Sequence, residues 1–202
     1  ATPYLTTETL EAQWNISSVN YIKGKVSHYH YQNLPAIVAF ESFLYGNTVV
    51  GDQNNARFIF EFEGFVTQAL FEQKLSRDWA TQIQWQTIVN NKAPGQAGES
   101  QSIQGLVAYN RGDWTFSGGY ENYFIESDAV PAFYNSHTYG HNNRIGSRYQ
   151  LGAESRDWGV RFKASYTDAD LLNVNSNGRN GLQQDNQQIL YFAVETLYEK
   201  LF

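Results

Sequence analysis

Charged and amide side chains fall at every second residue along much of the chain, and this spacing is its main chemical resource. Glu11, Lys23, Lys25, Glu61, Glu63, Gln82, Gln84, Gln86, Glu121, Arg144, Arg148, Arg161, Lys163 and Glu195 each sit on the polar side of an alternating segment, with Asp113 and Glu154 beside them. Two chemistries follow from such a face. If it lines a water-filled lumen, its charges set which solutes pass. If the interior is closed, the same groups pair across strands and fill it. Arg148 and Arg161 are expected on adjacent strands, as are Glu121 and Arg144.

Motifs for other chemistry are weak. Cysteine is absent, which removes disulfides, thiolate nucleophiles and Cys-based metal sites. His28 with His30, and His137 with His141, have spacings that could serve a metal. No carboxylate or third histidine has a fixed place beside either pair, so surface or loop histidines and no metal are expected. Asn173, Asn175 and Asn177 before Gly178 echo the opening of a calcium loop. The first position lacks an Asp and the twelfth is Gln184, so an extracellular loop is expected instead. Arg111-Gly112-Asp113 spells an integrin-binding tripeptide but reads as a tight turn in which Gly112 permits positive φ. No Gly-x-Ser-x-Gly elbow gives a nucleophilic triad its anchor. No catalytic residue and no cofactor is assigned, and the chain is read as no enzyme.

The elements that must carry the polar face are strands. Trp158, Val160, Phe162, Ala164 and Tyr166 alternate with Gly159, Arg161, Lys163, Ser165 and Thr167. That is the period of two of a strand with two different faces. Similar alternation predicts nine strands, at 5–16, 19–32, 57–73, 79–91, 100–110, 113–125, 142–155, 158–169 and 187–202. The segments from Tyr21 and from Phe58 alternate less cleanly. Very short connections at Ser17-Ser18, Ser76-Arg77-Asp78, Arg111-Gly112 and Arg156-Asp157 take turns with long Asn-, Gly- and Gln-rich linkers. The linker after Gln32 has room for a further strand at Ile37 to Tyr45, which would spoil the up-and-down order. Short turns alternating with long loops match the periplasmic turns and extracellular loops of outer-membrane barrels.

Composition points the same way. The 202 residues include 14 Tyr, 13 Phe and 5 Trp, while the mean hydropathy is only −0.51. A barrel with aromatic girdles and a polar interior has this balance. Trp14, Trp85, Trp114, Tyr149, Trp158, Tyr166, Tyr198 and Phe202 are the expected girdle, their rings in lipid and their polar edges among headgroups. No apolar run is long enough for a membrane helix, but closed barrels also satisfy every backbone group in lipid. The net charge of −6 argues against a nucleic-acid partner.

Certain stretches are also distinctive as text. They are Phe60-Glu61-Phe62-Glu63-Gly64-Phe65, Val89-Asn90-Asn91, Arg111-Gly112-Asp113-Trp114-Thr115-Phe116 with Gly118-Gly119-Tyr120, Glu126-Ser127-Asp128-Ala129-Val130-Pro131-Ala132-Phe133, and Asp185-Asn186-Gln187-Gln188-Ile189-Leu190. In this order they resemble a family of bacterial outer-membrane porins, strongly from Phe60 onward and weakly before it. The resemblance implies the C-terminal half of a longer barrel. One departure is Lys200, where the barrel-insertion signal has an apolar residue; Tyr198 and Phe202 fit that signal.

The expectation is therefore an all-β, antiparallel up-and-down transmembrane β-barrel in the bacterial outer membrane, as a single domain over residues 1–202. Nine is an odd count, so the chain is expected to be the C-terminal part of a larger, even-stranded barrel. Its expected function is passive diffusion of small polar solutes or ions. Expected partners are outer-membrane lipid, the solutes, the barrel-assembly machinery during biogenesis, and other barrel segments or copies. A barrel serving as scaffold or sheath for a partner protein, or a barrel enzyme, are the competing readings.

Overall fold

The computed structural model describes residues 2–135, 137–173 and 185–196. The first hairpin joins β1 (Tyr4–Asn15) to β2 (Asn20–Gln32). A folded insert follows, with helix α1 (Ala36–Leu44) and a small two-stranded sheet of β3 (Val49–Val50) and β4 (Arg57–Phe58). Then come β5 (Phe62–Lys74), β6 (Trp79–Asn90), β7 (Glu99–Arg111), β8 (Trp114–Ile125), β9 (Arg144–Ser155), β10 (Val160–Leu171) and β11 (Gln187–Thr196).

All but β3 and β4 form one nine-stranded antiparallel sheet in the order of the chain. The ladders run without a bulge, so directly paired residues share a face. One such row reads Lys23, Leu70, Gln84, Gln104, Glu121, Arg148 and Thr167. The short turns fix these registers. Ser76 Oγ accepts from the N–H groups of Asp78 and Trp79 at 3.3 and 3.2 Å, and Gly112 takes φ +60°. The fold is all-β, but its large sheet is open. Among the described residues β1 pairs only with β2 and β11 only with β10.

The linker after Gln32 has a helix, Ala36–Leu44 with Tyr45 as its C-cap, where there was room for a further strand at Ile37 to Tyr45. Pro35 leads into the first turn with its φ already fixed. Val38, Ala39 and Ser42 then fall on one buried face. The helix stops at Gly46, φ +105°. Asn47 N–H reaches back to Ser42 O at 3.0 Å and Gly46 N–H to Phe43 O at 3.3 Å, the paired bonds of a Schellman ending. The segment 57–73 is two strands, since the chain leaves the ladder between Phe58 and Phe62. The last expected strand is described as far as Thr196.

The apolar core is small and sits at the long-loop end of the sheet. One cluster joins Ala39, Val49 and Ala56 to Phe40, Phe43 and Phe58, and another joins Tyr123, Ile125 and Ala129 to Tyr139. Among the described residues no second layer covers either face toward the short turns.

Candidate functional site: the polar face and its folded lid

The two faces of the sheet differ chemically. On one, alternate residues are Leu10, Trp14, Ile22, Ile83, Phe116, Leu151, Phe162, Leu190, Phe192 and Val194. All are exposed, Leu10 at 75% and Phe192 at 70%. On the other lie Glu11, Lys23, Lys25, Gln82, Gln84, Gln86, Glu121, Arg144, Arg148, Arg161, Lys163 and Glu195, as their cross-strand partners require. Exposed apolar area on this scale marks an interaction surface.

Ion pairs cross the polar face between neighbouring strands. Lys23 Nζ is 2.9 Å from Glu11 Oε1. Arg161 bridges Glu154 at 2.7 Å and Glu195 at 3.4 Å, and Lys163 reaches Glu195 at 2.7 Å. Arg148 lies 2.5 Å from Glu121, whose side chain is nearly inaccessible. Amides fill the middle, where Gln68 donates to Gln86 at 2.5 Å.

The loop after β8, residues 126–143, folds back over this face. Single 3-10 turns at Ala132–Tyr134 and His137–Tyr139 bring it down. Tyr139 OH donates to Glu121 at 3.1 Å, and Arg148 lies 4.6 Å above the Tyr139 ring. Burial, reinforced by the Glu121 charge, pushes the Tyr139 phenol up to about 12. Arg148 also donates to Thr138 Oγ1 at 3.2 Å, and Thr167 Oγ1 to Thr138 O at 2.8 Å.

A buried asparagine clasp holds this lid to the α1 insert. Asn47 Nδ2 donates to Ser127 O at 2.6 Å and Val130 O at 3.0 Å, and Asn47 Oδ1 accepts from Ala132 N–H at 2.6 Å. Asn142 Nδ2 donates to the same two carbonyls, at 2.9 and 2.7 Å. Asp128 accepts from Thr48 N–H and Oγ1 at 2.9 and 2.6 Å. Asn90 ties the clasp to the sheet through Asp128 O at 2.8 Å and Glu61 O at 2.9 Å. Buried amides bonded this completely hold a loop in one conformation.

Some expected lining residues lie elsewhere. Glu63 is on the apolar-side face, 3.5 Å from His28 and 3.0 Å from Lys92. Glu61 precedes β5 and is exposed in the loop. Arg144 is on the polar face but buried, donating to Gly140 O at 3.0 Å and to Asp185 O at 2.5 Å, so it anchors loop ends and lines no open space. The physical reason is local. At the long-loop end the lid and the α1 insert cover the polar face and turn it into a core, where Tyr29, Phe62, Tyr123 and Ile125 are buried, Tyr29 against Ala129, Phe62 against Phe58 and Tyr123 against Tyr139. Polarity along the strands inverts there.

The expected girdle aromatics among the described residues lie on or beside the apolar face. Trp158 is in a short turn, 5.7 Å from Trp114, and Trp79 lies 4.6 Å from Tyr109. Trp14 is one residue from the end of β1. Trp85, Tyr120, Tyr149 and Tyr166 each stand six positions from the short-turn end of their strand (79 to 85, 114 to 120, 155 to 149, 160 to 166). At ~3.3 Å per residue the two aromatic levels are about 20 Å apart along the strands. Just beyond the second level Asn122, Ser147, Asp168 and Gln188 pair in one polar row. Tyr120 and this row were not foreseen, though the alternation of 114–125 contained them. Tyr198, Phe202, Lys200 and the Asn175 to Gln184 stretch lie outside the described residues.

His28 and His30 do share a face, the apolar-side one, and His28 packs 5.2 Å from Phe65. His141 stacks on Tyr45 at 3.9 Å; the side chain of His137 lies outside the described residues. Arg111-Gly112-Asp113 is the β7–β8 turn. Compared with known proteins, the chain matches no family model and no curated relative.

Proposed function

We propose that this sheet is part of the wall of an outer-membrane diffusion channel for small polar solutes or ions. The observation that carries the reading is the chemical opposition of the two faces. An exposed apolar face bounded by two aromatic levels suits lipid with its headgroups, and the opposite face, with its charges and amides, suits water. A soluble sheet exposing this many large apolar side chains would aggregate.

Closure into a barrel is part of the proposal. With nine strands in the sheet, β1 and β11 run in the same direction, so antiparallel closure needs an odd number of further strands, from the same chain or another. The lid then narrows the lumen at its long-loop end, and the charges on the polar face bias which ions enter. The lid and the cross-strand pairs also favour a second reading, a barrel filled from within that serves as a scaffold for another protein.

Recording in planar bilayers separates the two. A channel gives stable ohmic steps whose ion selectivity changes in Lys25→Glu. A detergent-folded, heat-modifiable protein without conductance overturns the channel and leaves the scaffold. Brominated lipids test the membrane itself. They should quench tryptophan emission strongly, and a detergent-free, unquenched monomer would sink both readings.

A further inference from the structure

The polar face between β7 and β11 holds a recess of about 380 Å³, walled by Gln104, Ser117, Gln150, Ser165 and Tyr191 with Arg148 beside them. Leu106 and Lys163 complete the wall. Two positions under it carry no side chain: Gly119 pairs with Leu106 and Gln150, and Gly152 with Ser117 and Lys163. A Cβ at Gly119 would collide with Leu106 Cδ2 and stand 3.0 Å from Gln150 Nε2, and one at Gly152 would stand 2.5 Å from Ser117 Oγ, so the Leu106 and Ser117 side chains lie over the two glycines. The size falls within the range of small-molecule sites, about 300–1,000 Å³.

What the recess offers is unspent hydrogen-bonding capacity. Among the described residues, the side chains of Gln104, Ser117, Gln150, Ser165 and Tyr191 make no hydrogen bond. On the same face Gln68 pairs with Gln86 and Tyr21 with Glu72, while Gln82 and Gln84 stand open as the recess amides do. Arg148 Nε is buried without a partner among the described residues, although other nitrogens of that guanidinium hold Glu121 and Thr138.

Charge is not on offer. Arg148 is neutralised by Glu121, Lys163 by Glu195, and Arg161 by Glu154 and Glu195. A charged solute would have to break one of these pairs. A neutral solute with several hydroxyls would not. Each hydroxyl donates and accepts, as each amide and serine of the wall does. The Tyr191 ring, 42% exposed, presents an apolar face to the C–H side of such a molecule.

We propose that this recess binds a neutral, hydroxyl-rich solute, a carbohydrate of roughly one or two rings. It rests on the channel reading only for how the solute arrives. Sites built around hydrogen bonds to hydroxyls reject analogues that lack them, so selectivity over polyethers of equal size is a requirement of the proposal.

The test is saturation-transfer NMR on the folded protein in detergent, with sucrose as probe. Sucrose should receive saturation, a polyethylene glycol of matched size should not, and gluconate should bind more weakly than sucrose. Gln104→Leu with Gln150→Leu should weaken sucrose about tenfold. Should that double variant not fold, Tyr191→Phe should weaken it roughly threefold. No transfer to sucrose, equal transfer to the glycol, or an unchanged affinity in the folded variants overturns the site. Conductance is read separately. Sucrose binding without conductance supports the recess and removes the channel; conductance without sucrose binding does the reverse.

Discussion

Asn47→Ala tests how the lid is held, and its cost can be worked bond by bond. Asn47 loses its bonds to Ser127 O, Val130 O and Ala132 N–H, and a long one of 3.4 Å to Asp128 Oδ1, which keeps the Thr48 N–H. Asn142 still serves both carbonyls, so the only group orphaned is the Ala132 N–H. A buried orphaned donor costs about 1–3 kcal/mol. Opening of segment 126–135 should therefore become easier by about 2 kcal/mol, which is roughly 30-fold in exchange rate. Asn142→Ala should also spare both carbonyls, since Asn47 remains. The double variant leaves both bare, so its effect should exceed the sum of the singles by about 1–2 kcal/mol. Hydrogen–deuterium exchange of peptides spanning 126–135 reads all three. Additive effects, within ~0.5 kcal/mol, or an Asn47→Ala protein with unchanged exchange, would refute the shared-carbonyl reasoning.

Glu121→Gln leaves Arg148 charged and largely buried beside a neutral amide. The expected loss is about 3–5 kcal/mol in urea unfolding followed by tryptophan emission, and a loss under ~1 kcal/mol would mean the pair is hydrated. Glu126 gives a pH dependence. Burial, then the Glu99 charge, raises its carboxyl above the ordinary 4.5, opposed by backbone donors that include Glu99 N–H at 2.8 Å. The folded state therefore holds its proton more tightly than the unfolded one. Its stabilising contribution is fully present below the ordinary carboxylate range and is lost as pH rises through the raised value. Protection of the Glu99 and Glu126 amides, corrected for intrinsic exchange, should fall as pH rises from the ordinary carboxylate range through the raised value, and Glu126→Gln should flatten that slope. Gly64→Ala drives a methyl into the Val89 carbonyl of β6 and to 3.1 Å from Asn90 Cα. It should cost at least about 1–3 kcal/mol, read as a lower melting point; an unchanged melting point would show that β5 can shift.

The strands were legible because each carries its own period and each short turn its own chemistry. β8, β9 and β10 follow the alternation of Trp114, Leu151 and Phe162 closely, and their registers follow from turns that leave no slack. The inversion at the loop end was not legible. It depends on Tyr139 lying over Tyr123 and Phe58 over Phe62, and no period-two pattern encodes that cover. Hence Glu63 was assigned to the wrong face. The helix Ala36–Leu44 was missed because its residues are apolar on nearly every side, so neither period stands out; Pro35 and Gly46 bracket it and were the available signal. The asparagine clasp was invisible for a different reason. Asn47 and Asn142 look like ordinary loop residues until the chain brings them to the same carbonyls, and Asn90, at the end of β6, until Asp128 arrives beside it.

The strictly sequential strand order also shapes how the molecule is made. Every ladder but β2–β5, which spans the α1 insert, joins neighbours in the chain, so most of the sheet can grow one hairpin at a time at small loop-closure cost. The clasp is different. Asn47 and Ser127 are 80 residues apart, Ser42 and Phe133 are 91, and Tyr29 and Ala129 are 100. These contacts cannot form until β5 to β8 are in place. Assembly thus has two stages with different physics, a mostly local zippering that sets the sheet and a late long-range docking that sets the lid. A protein caught between them would already have its final sheet but an uncovered polar face.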